Sequence, residues 1–158
     1  MKEFYFKTET ETTHVLKNGY FHTGDIVRKR DDGCFELLGR SRNIVKNIHS
    51  DLIYLEEIDH ALESHTLVKE ACTSSFARLE EDEKIVAFVV LKDYKNPDIQ
   101  NITIDLKKHL LEKLGKNRMP WCYYFEEYLP RNTSGKIQRQ LLKDKLHGYI
   151  QSHRTGYF

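Results

Sequence analysis

Three charged side chains stand in sequence contexts that suit the binding and activation of a phosphate-bearing substrate. Lys136 follows a glycine in a turn-rich segment, and its ammonium could stabilise the negative charge that grows at a crowded phosphorus centre. Arg40 also follows a glycine, and a guanidinium binds phosphate or ribose oxygens through its planar fork of donors. Asp25 ends a Thr-Gly-Asp triplet, and an ionised carboxylate could accept both hydroxyls of a ribose.

Each of these residues also has an ordinary structural explanation. Asp25 fits a turn before a strand, Arg40 fits a surface ion pair, and Lys136 fits a solvated lysine at a helix start. The segment around Lys136 is not a Walker loop, because Pro130 stands where that motif needs its first glycine and Ile137 where it needs Ser or Thr. The single residues therefore leave the function open.

The elements that would position these residues follow from turn signals and periodicity. The Asp-Asp-Gly sequence at 31–33 lies between two short apolar runs and predicts a β-hairpin, which the polar segment 39–43 follows. Residues 84–92 are apolar on both faces, so this strand is predicted to be central in its sheet. The remaining patterns predict strands over 44–48, 68–77 and 122–128, and helices over about 54–64, around 106–114 and over about 137–150.

This order predicts an α+β fold with an N-terminal β-hairpin, a hinge, and a small mixed α/β layer that contains a three-stranded sheet and flanking helices. Two isolated strands are marginal in water, so the hairpin is expected to be the edge of something larger. Glu56, Glu57 and Asp59 are predicted to lie in the first turn of the helix over 54–64, where the helix dipole favours carboxylates.

Composition limits the class of protein. The 158 residues fit one domain with a modest core, and the formal net charge of +1 gives no general attraction to nucleic acid or to an anionic membrane. The longest apolar run, Ile85 to Leu91, is too short to span a bilayer. Cys34, Cys72 and Cys122 form no CxxC pair, which argues against a disulfide framework or a zinc site and favours a cytoplasmic location.

Two kinds of site have little support in the sequence. The histidines show no metal-binding spacing, so no protein-bound metal is predicted. A basic face near the carboxyl end could contact nucleic acid, but it has no interleaved aromatic residues and Asp144 interrupts it; its members are Arg131, Lys136, Arg139, Lys143 and Lys145. We therefore expect no nucleic-acid partner.

Three segments together resemble the adenylate-forming superfamily of acyl-CoA synthetases, non-ribosomal peptide adenylation domains and luciferases. They are GYFHTGD at 19–25, GRSRNIVK at 39–46 and LPRNTSGKIQR at 129–139. The family pattern has an aromatic residue and Thr-Gly-Asp, then a Gly-Arg-x-Asp or Gly-Arg-x-Lys hinge, then a Pro-Arg-x-x-x-Gly-Lys loop. The resemblance covers roughly residues 19–142.

The resemblance implies a role for each matching residue. Asp25 would hold the ribose of ATP or AMP, Arg40 would contact the nucleotide, and Lys136 would serve the first, adenylating half-reaction. Arg42 lies at the hinge about which the small domain of these enzymes swings between two poses. Lys46 stands where several relatives carry a lysine for the second half-reaction, although a plain strand lysine fits equally well.

The resemblance also implies a domain division. Residues 1–39 would be the tail of a large AMP-binding domain, 40–43 the hinge, 44–150 the C-terminal lid and 151–158 a tail. The large N-terminal domain, which carries the glycine-rich phosphate loop and most of the acyl pocket, is absent from this sequence. If the native gene continues upstream of Met1, the chain is expected to be an excised domain; if it begins there, the expectation is a split enzyme, a remnant or a binding module.

One segment departs from the family pattern. The family usually has a glycine after the Lys46 strand, where a pantetheine arm passes close to the backbone. This chain has Asn47-Ile48-His49-Ser50-Asp51-Leu52 instead, and His49 or Ser50 would narrow the passage. The departure bears on transfer to CoA or a carrier more than on adenylation.

The expected function is therefore the C-terminal lid of an AMP-forming carboxylate ligase, inactive as this chain alone. Its cofactors would be ATP, with Mg²⁺ carried by the nucleotide, and CoA or phosphopantetheine as acceptor. Its partners would be the missing large domain, a small-molecule carboxylate and, in some enzymes, a carrier protein. The alternative is a non-catalytic interaction module or a split-enzyme subunit that docks on a separate large domain or on a carrier protein.

Overall fold

The structure is a computed structural model that describes residues 16–46, 50–77, 83–93, 95 and 97–152. The chain divides into two compact units between Arg42 and Asn43. Over the described ranges, no helix is long and apolar enough to cross a membrane.

The first unit contains two antiparallel hairpins. β1 (Leu16–Lys17) pairs with β2 (Tyr20–Phe21) across Asn18 and Gly19, whose φ angles of 52° and 80° suit the tightest hairpin turns. β3 (Asp25–Lys29) pairs with β4 (Phe35–Arg40), and the turn between them is closed by the N–H of Gly33, which donates to Arg30 O at 3.0 Å. The hairpin predicted around 31–33 is confirmed, whereas the β1–β2 pair was not predicted.

The second unit begins with a short strand pair that leads directly into a helix. β5 (Ile44–Lys46) runs antiparallel to β6 (Leu52–Tyr54), and α1 (Leu55–Glu63) follows β6 without a break. The strand predicted over 44–48 is present as far as Lys46, and residues 47–49 lie outside the described part of the chain. β6 was not predicted.

A three-stranded sheet forms the centre of the second unit. β7 (Val68–Phe76) pairs antiparallel with β8 (Lys84–Leu91), and β8 pairs parallel with β9 (Cys122–Phe125), so β8 is central, as its apolar run predicted. α2 (Ile99–Leu114) lies between β8 and β9 in the chain, and α3 (Arg139–Ser152) follows β9. β9 ends three residues earlier than predicted and α3 begins two residues later than predicted.

Alternate residues of β8 point into two different cores. Ile85, Ala87, Val89 and Leu91 pack with apolar residues of α1 and α2, such as Leu62 and Leu110. Val86, Phe88 and Val90 on the other face pack with a second cluster that includes Leu142 and Leu146 of α3. The sheet is therefore covered by helices on both faces, and the predicted α+β class is confirmed.

One carboxylate lies in a different environment from the one predicted for it. Glu56 and Glu57 occupy the first turn of α1, as expected, but Asp59 lies beyond that turn and is buried. It accepts a 2.5 Å hydrogen bond from the Thr73 amide of β7, so its role comes from contacts with other elements and not from the helix dipole.

Candidate active site

The segment that carries Lys136 is a tightly closed loop. Arg131 and Ile137 form an antiparallel bridge across its base, and the Asn132 N–H donates to Lys136 O at 2.9 Å. The Gly135 N–H donates to Asn132 O at 2.9 Å, and its φ of 79° is a left-handed conformation that glycine adopts without steric cost. The turn itself therefore favours a glycine before the lysine.

The side chain of Asn132 fixes the interior of this loop. Its Oδ1 accepts hydrogen bonds from the Ser134 N–H at 3.1 Å, the Ser134 hydroxyl at 2.8 Å and the Lys136 N–H at 2.9 Å. Three donors on one oxygen hold the backbone on both sides of Gly135 in place. The sequence interpretation did not single out Asn132, although asparagine in a turn-rich segment is a known signal for this kind of turn.

The Lys136 side chain is exposed to solvent, whereas its backbone N–H is hydrogen-bonded within the loop. Within the described part of the chain, no carboxylate forms an ion pair with its ammonium group. A fixed backbone and an unoccupied positive charge suit a residue that meets an anionic ligand supplied from elsewhere.

Two arginines anchor the ends of the Lys136 loop to the second unit. Arg131 donates to Gly135 O at 2.7 Å and forms an ion pair with Glu70 of β7. Arg139, the first residue of α3, donates to Thr73 O and lies 2.6 Å from Asp59 Oδ2. The loop is therefore held at one end by β7 and at the other by α1 and β7 together.

The Asp59–Arg139 pair is largely withdrawn from water. Burial raises the pKa of Asp59, while the guanidinium of Arg139 and the hydrogen bonds from Thr73 oppose this rise. Burial lowers the pKa of Arg139, but the charge and hydrogen bond of Asp59, together with contributions from Cys72 and Glu56, outweigh burial, so the pKa of Arg139 is raised on balance and it remains charged. A buried charge of this kind depends on its partner, because losing either member leaves the other uncompensated.

Asp25 and Arg40 are brought together in the first unit. They are register partners at the ends of β3 and β4, and Arg40 Nη1 lies 2.8 Å from Asp25 Oδ1. Arg40 Nη1 also donates to Thr23 O at 2.9 Å, and the Asp25 N–H donates to the Thr23 hydroxyl oxygen at 3.1 Å. The surface ion pair considered for Arg40 is thus present, and it joins two residues that were both predicted to contact a nucleotide.

The remaining candidates lie at and just after the division between the units. Arg42 is an exposed residue in a single 3-10 turn over Ser41–Asn43, and Lys46 is the exposed last residue of β5. Of the segment that departs from the family pattern, residues 47–49 lie outside the described ranges. Ser50 has a φ of 65°, so a serine occupies a left-handed conformation that glycine adopts more easily.

The basic face considered for nucleic acid is largely engaged in internal contacts. Arg131 pairs with Glu70, Arg139 pairs with Asp59, and Lys145 Nζ lies 2.5 Å from Glu126 Oε1. These pairs divide the predicted row of cations, so they do not favour a nucleic-acid interface. Over the described ranges, no group of three or more His, Cys, Asp or Glu residues is arranged to hold a metal ion.

Comparison with known proteins gives a consistent group of relatives. The family described as AMP-binding enzyme C-terminal domain matches residues 57–136. Acetyl-coenzyme A synthetase of Streptomyces avermitilis is 35% identical over 126 residues, which are 80% of this chain and 19% of that protein. A fatty acid–acyl-carrier-protein ligase of Streptomyces coeruleorubidus is 31% identical over 144 residues, which are 91% of this chain and 27% of that protein.

Comparison with solved structures also gives a ligase as a relative. O-succinylbenzoate CoA synthetase of Bacillus subtilis, in complex with its acyl-adenylate intermediate, matches with a TM-score of 0.75 and 28% identity. The match covers 89% of this chain and 28% of that one. This chain therefore spans about a fifth to a quarter of the length of the curated relatives it matches, with 19% and 27% for the two named above.

Proposed function

Because this chain belongs to the AMP-binding enzyme C-terminal domain family of the adenylate-forming superfamily, we propose that it is the C-terminal lid of an AMP-forming ligase. The ligase would activate an acyl or amino acid as its acyl-adenylate with ATP and pass it to CoA or a carrier thiol. The observation that carries the proposal is the closed loop that presents Lys136, because it holds an exposed cation on a fixed backbone.

Each candidate residue receives one role in this proposal. Lys136 supplies positive charge to the reacting carboxylate and α-phosphate during adenylation. Asp25 accepts hydrogen bonds from the ribose, and Arg40 contacts the nucleotide. Arg42 is the hinge, and Lys46 serves the transfer half-reaction.

The donor and acceptor groups of these residues fit a nucleotide. A carboxylate suits ribose hydroxyls, and a guanidinium and an ammonium suit phosphate oxygens. ATP supplies the adenylyl group of the reaction and carries Mg²⁺ with it. This chain would contribute charge and orientation, and the large domain of the ligase would supply the acyl pocket.

The acceptor is proposed to be a thiol on a pantetheine arm. One relative is named as a synthetase of acetyl-coenzyme A and another as a ligase for an acyl-carrier protein, so the relatives include both kinds of acceptor. Ser50, with a φ of 65°, lies in the segment where the resemblance leads us to expect a glycine, and its side chain would narrow the passage for that arm.

The proposal can be tested with a fusion protein. The chain would replace the corresponding C-terminal region of the Bacillus subtilis o-succinylbenzoate CoA synthetase, which shares its fold. Exchange of pyrophosphate into ATP, driven by o-succinylbenzoate, would be measured for the fusion, for the large domain alone and for this chain alone.

We expect exchange by the fusion to exceed exchange by the large domain alone by at least about tenfold, because positioned charge is a large term in phosphoryl transfer. We expect no exchange by this chain alone. A fusion that is no faster than the large domain alone would favour the non-catalytic interaction module. Exchange by this chain alone would contradict the proposal.

A further inference from the structure

A chain of polar contacts in the second unit runs from its first residue to the loop that carries Lys136. Asn43 Nδ2 donates a hydrogen bond to Glu56 Oε1. The same Glu56 oxygen lies 3.9 Å from Arg139 Nη2, which in turn donates to Asp59 Oδ2 at 2.6 Å. Asn43 is therefore connected to the residue that begins α3, shortly after Lys136.

The geometry of α1 explains why one arginine can reach both acids. Glu56 and Asp59 are three residues apart and so share one face of the helix. That face meets β7 through Asp59, whose Oδ1 accepts hydrogen bonds from the amide and the hydroxyl of Thr73 at 2.5 and 2.7 Å. The Arg139 side chain thus ends in a site built by α1 and β7.

Glu56 is the link between Asn43 and Arg139, because its Oε1 contacts both of them. Its Oε2 is buried and has no hydrogen-bond partner among the described residues. The carboxylate therefore relies on Asn43 and Arg139 for compensation, and a movement of Asn43 would remove a hydrogen-bond donor from the oxygen that faces Arg139.

Asn43 lies next to the residue proposed as the hinge, so these contacts begin at the division between the two units. Asn43 ends the 3-10 turn that also contains Arg42, and it is the first residue of the second unit. A rotation of the backbone at Arg42 would move the side-chain amide of Asn43, because the two residues are adjacent in a single turn.

We propose that Glu56 and Arg139 are positioning residues that couple the backbone at Asn43 to the loop that presents Lys136. A change in backbone conformation at the hinge segment would then alter the closure of the Lys136 loop through these side-chain contacts, in addition to moving the whole unit. The consequence for catalysis rests on the proposed function, whereas the coupling itself is a property of this chain and can be measured without any activity.

The test uses amide hydrogen exchange, followed by NMR on the isotope-labelled chain. The Lys136 amide is a suitable probe, because it donates to Asn132 Oδ1 at 2.9 Å and is protected only while the loop is closed. Glu56→Gln removes the negative charge that faces Arg139, and Asn43→Ala removes the donor to Glu56 Oε1. Glu57→Gln is the matched control, because Glu57 neighbours Glu56 on α1 but pairs with Arg118 at 3.1 Å.

We expect Glu56→Gln and Asn43→Ala each to raise exchange of the Lys136 amide by about tenfold relative to the β8 amides, which is roughly 1.4 kcal/mol of local opening. Glu57→Gln should leave this ratio unchanged. Arg139→Lys should keep more of the protection than Arg139→Gln, because it retains the charge beside Asp59.

Any of three results would overturn the coupling. The first is unchanged exchange of the Lys136 amide in both Glu56→Gln and Asn43→Ala. The second is an equal change at Lys136 for Glu57→Gln and Glu56→Gln. The third is a rise shared equally by the β8 amides, since that would be a loss of overall stability. If Glu56→Gln does not fold, Asn43→Ala decides the question alone. Failure of pyrophosphate exchange in the fusion protein would instead count against the function and leave these exchange ratios unaffected.

Discussion

Arg40 Nη1 lies 2.8 Å from Asp25 Oδ1, across the paired ends of β3 and β4. The two side chains are 47% and 27% exposed, and an ion pair in contact with water contributes only about 0–1 kcal/mol to stability. The pair can therefore be exchanged for contacts with a ligand at little cost to the fold. Such a pair would suit the nucleotide contacts proposed for Asp25 and Arg40.

The first prediction concerns this pair within the fusion enzyme. Asp25→Asn should raise the KM for ATP by roughly tenfold to a hundredfold, because a hydrogen bond to a charged group contributes about 1.5–3 kcal/mol. Glu36→Gln is the control, because it breaks the neighbouring Arg28–Glu36 pair, with atoms 2.9 Å apart, in the same hairpin. Steady-state kinetics and a urea melt would be recorded for both. Equal KM values for ATP in the two variants would show that Asp25 does not contact the nucleotide.

The second prediction separates the two half-reactions at Lys136. In the fusion enzyme, Lys136→Ala should slow adenylation by about a hundredfold to a thousandfold, by analogy with a lost oxyanion donor worth roughly 3–4 kcal/mol. Thioester formation from premade acyl-adenylate should be nearly unchanged, because the lid would present another face for that step. Pyrophosphate exchange and thiol consumption measure the two steps separately.

The control for that prediction is Lys107→Ala, which removes an exposed lysine of α2 that is distant in sequence from the Lys136 loop. It should slow neither half-reaction. If Lys136→Ala slows both half-reactions equally, Lys136 has a structural role and the proposed assignment is wrong.

The third prediction uses two adjacent leucines of α2. Leu110 is 0% exposed in the core beneath the sheet, whereas Leu111 is 44% exposed. Leu110→Ala should lower the free energy of unfolding by about 2–5 kcal/mol, because it leaves a cavity in a packed core. Leu111→Ala should change it by less than about 1 kcal/mol, as exposed substitutions usually do. Urea denaturation measures both, and similar losses would mean that the orientation of α2 is wrong.

The fourth prediction concerns the pH dependence of stability at His65. Burial lowers its pKa below the ordinary value of 6.5, and the nearby His109 ring, 5.0 Å away between centroids, lowers it further. The folded state thus favours neutral His65. Its contribution to stability is present above pH 6.5 and is lost as the pH falls through the folded-state pKa.

His65→Gln should therefore reduce the loss of unfolding free energy on acidification, when urea melts are compared from about pH 8 to about pH 5. His60→Gln, at an exposed site on α1, is the matched control and should keep the wild-type dependence. If the unfolding free energies of His65→Gln and the wild type change equally with pH, His65 does not contribute to the pH dependence of stability in this range.

The sequence predicted the elements whose signals are local. The Asp-Asp-Gly turn specified the β3–β4 hairpin, and the continuous apolar run of 84–92 identified a central strand, because both faces of β8 are buried. The strands β1, β2 and β6 were not predicted, because segments of two or three residues are too short to show the alternation of apolar and polar residues that marks a strand.

The candidate site was predicted less completely than the fold. The Gly135-Lys136 loop was recognised from its residues, but Asn132 was not, and the partners of Arg139 lie in α1 and β7. Asp59 was interpreted through the helix dipole, since its tertiary partner is distant in sequence. Contacts between remote segments are decided by packing, and one sequence carries no direct signal for them.

The topology of β8 also affects how the protein is made. The segment Ile85 to Leu91 has the apolar, uncharged composition of aggregation-prone strands, and its partner β9 comes into place only after α2 has been synthesised. Until residues 122–125 pair with it, one edge of β8 is open to other chains. We expect a chain cut before Cys122 to scatter light during refolding at concentrations where the full chain stays clear, because β9, although only four residues long, covers the open edge of β8.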